Sequence, residues 1–233
     1  MDKLIGRNMR KVMIGTPCYD GRLDVWYVNS LMETLKLAQQ HDVEIIPIWV
    51  SFDALIQRAR NDTVHLALEM GVDDLIWIDS DIEWKPSWFY RLLEIPEDVV
   101  GGTYPKKSDV PTYVLRQTTP HKIDPATRMM EVDALGTGFV KMSARALRAL
   151  WDSSKSYIDP KDDKERRLVF DVVAENNVLI SEDINAFMKL SRAGFKIWLD
   201  TTICCNHIGG KKYTGNFTDW WLNIRMSMLP SNP

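Results

Sequence analysis

The amino-acid sequence predicts an α/β protein with a mixed central sheet, parallel in its first half, and helices on both faces. Two observations predict it. Through the first ~85 residues, apolar strand-like runs alternate with helical periodicities, the β-α-β-α-β order that yields a parallel sheet covered by helices. From Thr112 onward, strand-like runs follow one another across turn-rich stretches, which favours antiparallel pairing.

"KVMIGTPCYDG" reads as a short buried strand that runs into a turn. Val28, Leu31, Met32, Leu35 and Ala38 then recur at helical spacing. "VEIIPIWV" is a second strand, and Ser51 is the expected cap of a helix through "FDALIQRARNDTVHLALEMG" that stops at Gly71. "DDLIWIDSD" is a third strand, "KPSWFYRLLEI" a short helix opened by proline, and "DVVGGTYPKK" a strand leading into a loop. "TYVLRQTT" and "MMEVDALGTGFVKM" read as antiparallel strands. Ser143 caps a helix in "SARALRALW", and the charged stretch Ser153–Arg167 reads as a mobile loop. Ser181 caps and Gly194 stops a helix in "SEDINAFMKLSRAG", "FKIWLD" is a last strand, and the tail is glycine-rich and then aromatic. No internal repeat or linker interrupts the pattern, so a single domain over 1–233 is expected.

The composition is that of a globular protein, 45% hydrophobic and 26% charged. A net charge of -3, with the cations dispersed, argues against a protein that grips nucleic acid. No apolar run reaches the ~18 residues of a membrane span, and "MDKLIGRNMRK" lacks the apolar core of a secretory signal. Three cysteines, Cys18, Cys204 and Cys205, make a poor disulfide framework and read as reduced thiols, so a cytoplasmic location is expected.

Three polar clusters follow strand or helix boundaries. The first is Asp79 and Asp81, at the end of the apolar run Leu75–Ile78. Ligands bind at the carboxyl ends of parallel strands, and positions two apart share a face, so both carboxylates can address one cation. Chance acids in a solvated loop are the alternative. The second is Glu182 and Asp183 in a helix first turn. Acids there complement the helix dipole, and either is also a carboxylate ready to accept a proton. The third is His207 followed by Gly209, Gly210, Lys211 and Lys212. It combines an imidazole ligand, glycines that let backbone approach phosphates, and point charges.

"TPCYDG", "RARN", "WIDSDI", "DALGTGFVKM" and "SEDINAFMKLSRAGFKIWLD…NHIGG", in that order, resemble GT-A-fold glycosyltransferases, especially the small enzymes of phages and of large DNA viruses of algae. The likeness covers nearly the whole chain. It implies a Rossmann-like GT-A sheet, with a nucleotide-binding half at about 10–105 and an acceptor and catalytic half at about 106–233. Thr16, Pro17 and Tyr19 would lie against the nucleoside, and Arg58 or Arg60, with Asn61, against base or diphosphate. Asp79 would face ribose and metal, Asp81 and His207 would ligate Mn2+ or Mg2+, and Lys211 would meet a phosphate. Gly136, Thr137 and Gly138 would flank the donor sugar, with Asp133 on its hydroxyls. Asp183 would be the catalytic base, with Glu182 second to it.

The implied reaction is a metal-dependent, inverting transfer of a sugar from a nucleotide-sugar, UDP being the commonest carrier, to a hydroxyl of a glycan or other acceptor. Neither nucleic acid nor a transmembrane segment would be involved, and the host cytoplasm would be the location of a viral protein. The tryptophans Trp220 and Trp221 suit either stacking on sugars or packing of a C-terminal helix. A sugar-nucleotide nucleotidyltransferase is the first alternative, but "GTPCYDG" has no Lys or Arg before Arg22 to hold a triphosphate. A non-catalytic nucleotide-sugar-binding module is the second.

Overall fold

The computed structural model describes residues 9–117, 122–160 and 162–228. Its central sheet has seven strands: β1 (Arg10–Cys18), β2 (Val43–Ser51), β3 (Asp74–Ile78), β4 (Val99–Thr103), β5 (Met129–Val132), β6 (Phe139–Ser143) and β7 (Ile197–Cys204). They lie in the order β2-β1-β3-β6-β4-β7-β5. β1 pairs in parallel with β2 and β3, and β7 with β4. β6 is antiparallel to β3 and β4, and β5 to β7. The carboxyl ends of β1, β2, β3, β4 and β7 therefore share one rim. β6 arrives there by its amino end, preceded by Gly136–Gly138. The mixed sheet with a parallel first half is as the sequence predicts.

Six helices follow: α1 (Val25–Leu37), α2 (Ile56–Glu69), α3 (Pro86–Glu94), α4 (Ala144–Ser153), α5 (Glu182–Arg192) and α6 (Phe217–Met228). α1 and α3 cover one face, packing Tyr27, Leu31, Phe89 and Leu92 on Val12, Ile14, Ile76 and Ile78. α2, α4 and α5 cover the other, packing Val64, Leu147 and Phe187 around Met13, Leu75 and Trp77. Every residue of β3 is buried. At about 1.5–3 kcal/mol for each large apolar side chain, this strand anchors the rim on which Asp79 sits.

Several helix ends carry the caps and stops that the sequence predicts. Ser143 Oγ accepts the Ala146 amide at 3.2 Å, Pro86 opens α3, and Gly71 and Gly194 end their helices at φ +61° and +87°. Trp220 and Trp221 pack with Phe217 against the core, the second of the two readings above.

Three expectations are corrected. Ser51 is the last residue of β2 and caps nothing, because the chain turns instead at Phe52, whose φ is +60°. Asp53 then receives the Leu55 amide at 3.0 Å, and α2 starts only at Ile56. The charged stretch after α4 is not wholly loop: Ser156–Asp159 and Lys164–Arg167 form an antiparallel hairpin. Arg166 is buried there because Asp62 and Asp162 neutralise it. In "TYVLRQTT" only Leu115–Arg116 makes a strand, paired with Ala134–Leu135, and Thr118 and Thr119 lie outside the described residues.

No helix among the described residues is long and apolar enough to cross a membrane. All three cysteines are free thiols.

Candidate active site

The shared rim opens into a cleft of about 390 Å³. β1 and the turn after it contribute Pro17, Cys18 and Tyr19, and β2 with its turn contributes Val50, Asp53 and Ala54. α2 adds Ile56, Gln57 and Ala59, and the end of β3 adds Asp79, Ser80 and Asp81. His207 closes it from the far side.

A small sheet carries His207 there. Asn206–Ile208 pairs with Ile82–Glu83 and with Lys212–Tyr213, and the Ile208 amide donates to the Asp81 carbonyl at 2.8 Å. This brings His207 Nε2 to 3.5 Å from Asp81 Oδ2, while Nδ1 lies 3.0 Å from the Pro105 carbonyl. A carbonyl only accepts, so Nδ1 carries the proton that points at Pro105. Tyr104 meets the imidazole edge-on at 5.1 Å.

The two carboxylates have separate cations. Arg60 Nη2 is 3.4 Å from Asp79 Oδ1, and Arg60 Nη1 is 2.5 Å from Glu182 Oε1. Lys107 Nζ is 2.5 Å from Asp81 Oδ2. Burial raises the Asp79 carboxyl above its ordinary value against the pull of Arg60, and the charge of Asp81 raises it further. Burial also pushes Asp81 upward, but hydrogen bonds from His207 and Lys107 outweigh it and hold the group below its ordinary value.

Gly136 and Gly138 border the Tyr104 ring. A Cβ on either would stand 2.4 or 2.6 Å from the Tyr104 hydroxyl, so these glycines make room for that residue. Tyr104 Oη accepts the Gly138 amide at 3.1 Å, and the Gly138 carbonyl accepts the Asp79 amide at 3.3 Å. Between the glycines, Thr137 is buried and its Oγ1 has no partner. Desolvation, followed by the charge of Asp79, lifts the Tyr104 hydroxyl far above its ordinary value, and Asp183 contributes to the same shift. Asp183 follows Glu182 in the first turn of α5, and neither of them lines the cleft. Asp183 Oδ1 accepts from Ser181 Oγ and from the Ile184 amide at 2.7 Å.

Several expected residues are engaged elsewhere. Asn61 donates to the Phe170 carbonyl at 3.1 Å and accepts the Phe170 amide at 2.7 Å, fixing a buried loop rather than facing the cleft. Arg58 clamps Asp53 through two hydrogen bonds of 2.7 and 2.8 Å. Thr16 is buried and shares its hydroxyl with Tyr27 at 2.7 Å, on the α1 face of the sheet. Asp133 does not line the cleft; its amide donates to Arg116. Lys211 is 2.5 Å from Asp109 on the loop that carries Lys107. Lys107, Tyr104 and Asp53 are functional candidates missed in the sequence. "TYPKK" follows a parallel strand, so the rule that singles out Asp79 would have singled out Lys107 as well.

Among the described residues no three His, Cys, Asp or Glu side chains form a ready metal cage. The expected trio Asp79, Asp81 and His207 is split, because Asp79 is bound to Arg60 and only Asp81 faces His207. The pair still fits a divalent cation. With Nδ1 donating to Pro105, Nε2 is the nitrogen that faces the Asp81 oxygen, and a divalent cation between them would take the place of the proton they share.

No protein-family model and no curated protein matches the chain. Among solved structures, A197 from STIV superposes over 89% of this chain and 95% of its own, with a TM-score of 0.55 and 18% identity. This chain shares the fold of A197. A glycosyltransferase involved in the glycosylation of the major capsid of PBCV-1 aligns over 59% of this chain and 62% of its own, at 11% identity and a TM-score of 0.34. A putative glucose-1-phosphate thymidylyltransferase from Bacillus anthracis aligns over 97% and 98%, at 12% identity and 0.41. The last two superpositions are too loose to bear on this chain.

Proposed function

We propose that the chain is a glycosyltransferase that moves a sugar from a nucleoside diphosphate, UDP by preference, to a hydroxyl acceptor with inversion. The observation that carries this reading is the pairing of Asp81 Oδ2 with His207 Nε2 at 3.5 Å, on the rim where the parallel strands end and beside Asp79. Asp81 and His207 would hold Mn2+ or Mg2+, and the cation would supply charge stabilisation to the departing diphosphate. Pro17 and Tyr19 line the wall that receives the nucleoside.

Asp183 is the base in this reading. Glu182 is bound to Arg60. Asp183 has one oxygen fixed by Ser181 and Ile184, which leaves the other for an acceptor hydroxyl. The acceptor oxygen forms a bond to the anomeric carbon as the bond from that carbon to the diphosphate oxygen breaks. The hydroxyl proton passes to Asp183, and the diphosphate leaves with the electron pair.

A thermal-shift series with UDP, GDP and dTDP sugars, each with and without Mn2+, tests the reading. A melting temperature raised by UDP-sugars only when Mn2+ is present supports it. No response to any nucleotide with Mn2+ rejects it.

A further inference from the structure

The two carboxylates of the cleft are neutralised by unlike cations. Arg60 keeps 4% of its side-chain surface, grows from α2, and is held by Glu182 and by the Phe170 ring 5.7 Å away. It is a fixed charge. Lys107 keeps 39% of its side-chain surface and rides on the exposed loop after β4. Its ammonium is a point charge on a flexible stem, ion-paired among the described residues with Asp81.

The oxygen that Lys107 holds, Asp81 Oδ2, is the one His207 Nε2 faces. A divalent cation on that oxygen and nitrogen would stand within a few ångströms of the ammonium, where like charges repel strongly. The Lys107 stem lies over Gly209: a Cβ there would stand 3.0 Å from its Cδ and 3.4 Å from its Cε, so the missing side chain leaves the stem unconfined on that side. The loop itself stays tied down, by Asp109 to Lys211 at 2.5 Å and by the Lys106 amide to the Thr112 carbonyl at 2.7 Å.

We infer that Lys107 is an exchangeable counter-ion, holding Asp81 until a divalent cation takes that oxygen and then turning to the diphosphate the cation carries. The inference rests on the nucleotide-sugar reading above. It assigns Lys107 a role in stabilising the leaving group and makes cation and diphosphate binding cooperative. Each cation that enters frees an ammonium for the anion that follows.

The test uses the full chain, with Mn2+ alone followed by UDP at saturating Mn2+, both measured by calorimetry. Lys107→Met is expected to tighten Mn2+ binding at least threefold, since a competitor is gone, and to weaken UDP binding at least tenfold. Lys107→Arg restores wild-type behaviour in both titrations. Lys106→Met, which removes an exposed positive charge from the same loop but no contact to Asp81, leaves Mn2+ affinity within twofold. Unchanged or weaker Mn2+ binding by Lys107→Met overturns the inference, as does equal tightening by Lys106→Met. A wild-type protein that binds neither Mn2+ nor UDP overturns the glycosyltransferase reading together with it. Normal UDP binding with no effect of Lys107→Met overturns the inference alone.

Discussion

Arg60 and Glu182 lie 122 residues apart in sequence and 2.5 Å apart in space. Through this pair α2 is tied to the first turn of α5, and the same guanidinium reaches Asp79. The rim that carries Asp79 and the helix turn that carries Asp183 are thus joined by one side chain. Arg60→Met strands two carboxylates in a poorly solvated site. It is expected to lower stability by about 3–5 kcal/mol in urea unfolding, and adding Glu182→Gln to it should recover part of the loss. A cost below about 1 kcal/mol would mean that the pair behaves as a surface contact.

Asp81 and Asp79 separate in the cation titration. Asp81→Asn and His207→Ala each remove a donor and should weaken Mn2+ binding at least about tenfold. Asp79→Asn, whose carboxylate belongs to Arg60, should weaken it by less. Equal effects at the two aspartates would show that the structure divides them wrongly.

Gly138 gives Tyr104 its place. Gly138→Ala puts a Cβ 2.6 Å from the hydroxyl and 2.8 Å from Cε1 of a ring that packs against His207. The expected cost is about 1–3 kcal/mol, with a drop in Mn2+ affinity as the imidazole shifts. Unfolding and calorimetry on this variant read both. Loss of stability alone would confine Gly138 to packing.

Lys141 supplies the pH test. It is buried in β6, donates to the Ile95 carbonyl, and burial lowers it to about 8. Between about pH 8 and the ordinary lysine value of ~10.4 the unfolded chain holds a proton that the folded chain lacks. Stability from this group therefore rises with pH through that window, and its cost is fully present below it. Lys141→Met should be at least as stable as the parent at pH 7. The difference between them should shrink by up to about 3 kcal/mol by pH 10, as measured by urea unfolding across that range. A constant difference would contradict the burial effect.

Periodic and boundary features were legible in the sequence. Leu75–Ile78 ends in two acids of one face, Ser143 precedes a helical stripe, and Gly71 and Gly194 follow one. Each of these signals is local. What depends on partners distant in sequence was not legible. Asn61 looks like a ligand beside Arg60, yet its amide satisfies the Phe170 backbone across 109 residues. The stretch Ser153–Arg167 looks like solvated loop, yet Arg166 is buried because Asp62 on α2 comes to meet it. Nothing in the spacing distinguishes Asp79, which faces a buried guanidinium, from Asp81, which faces a partly exposed ammonium and an imidazole.

In the proposed transfer from a nucleotide-sugar, Asp183 takes the proton of the acceptor hydroxyl. UDP release from a panel of UDP-sugars with Mn2+, for the wild type and for Asp183→Asn, tests it most directly. The wild type should turn over at least one donor, and Asp183→Asn should lose about 10²-fold or more of that rate while still binding UDP. Turnover that survives Asp183→Asn, or no release from any donor, would contradict it.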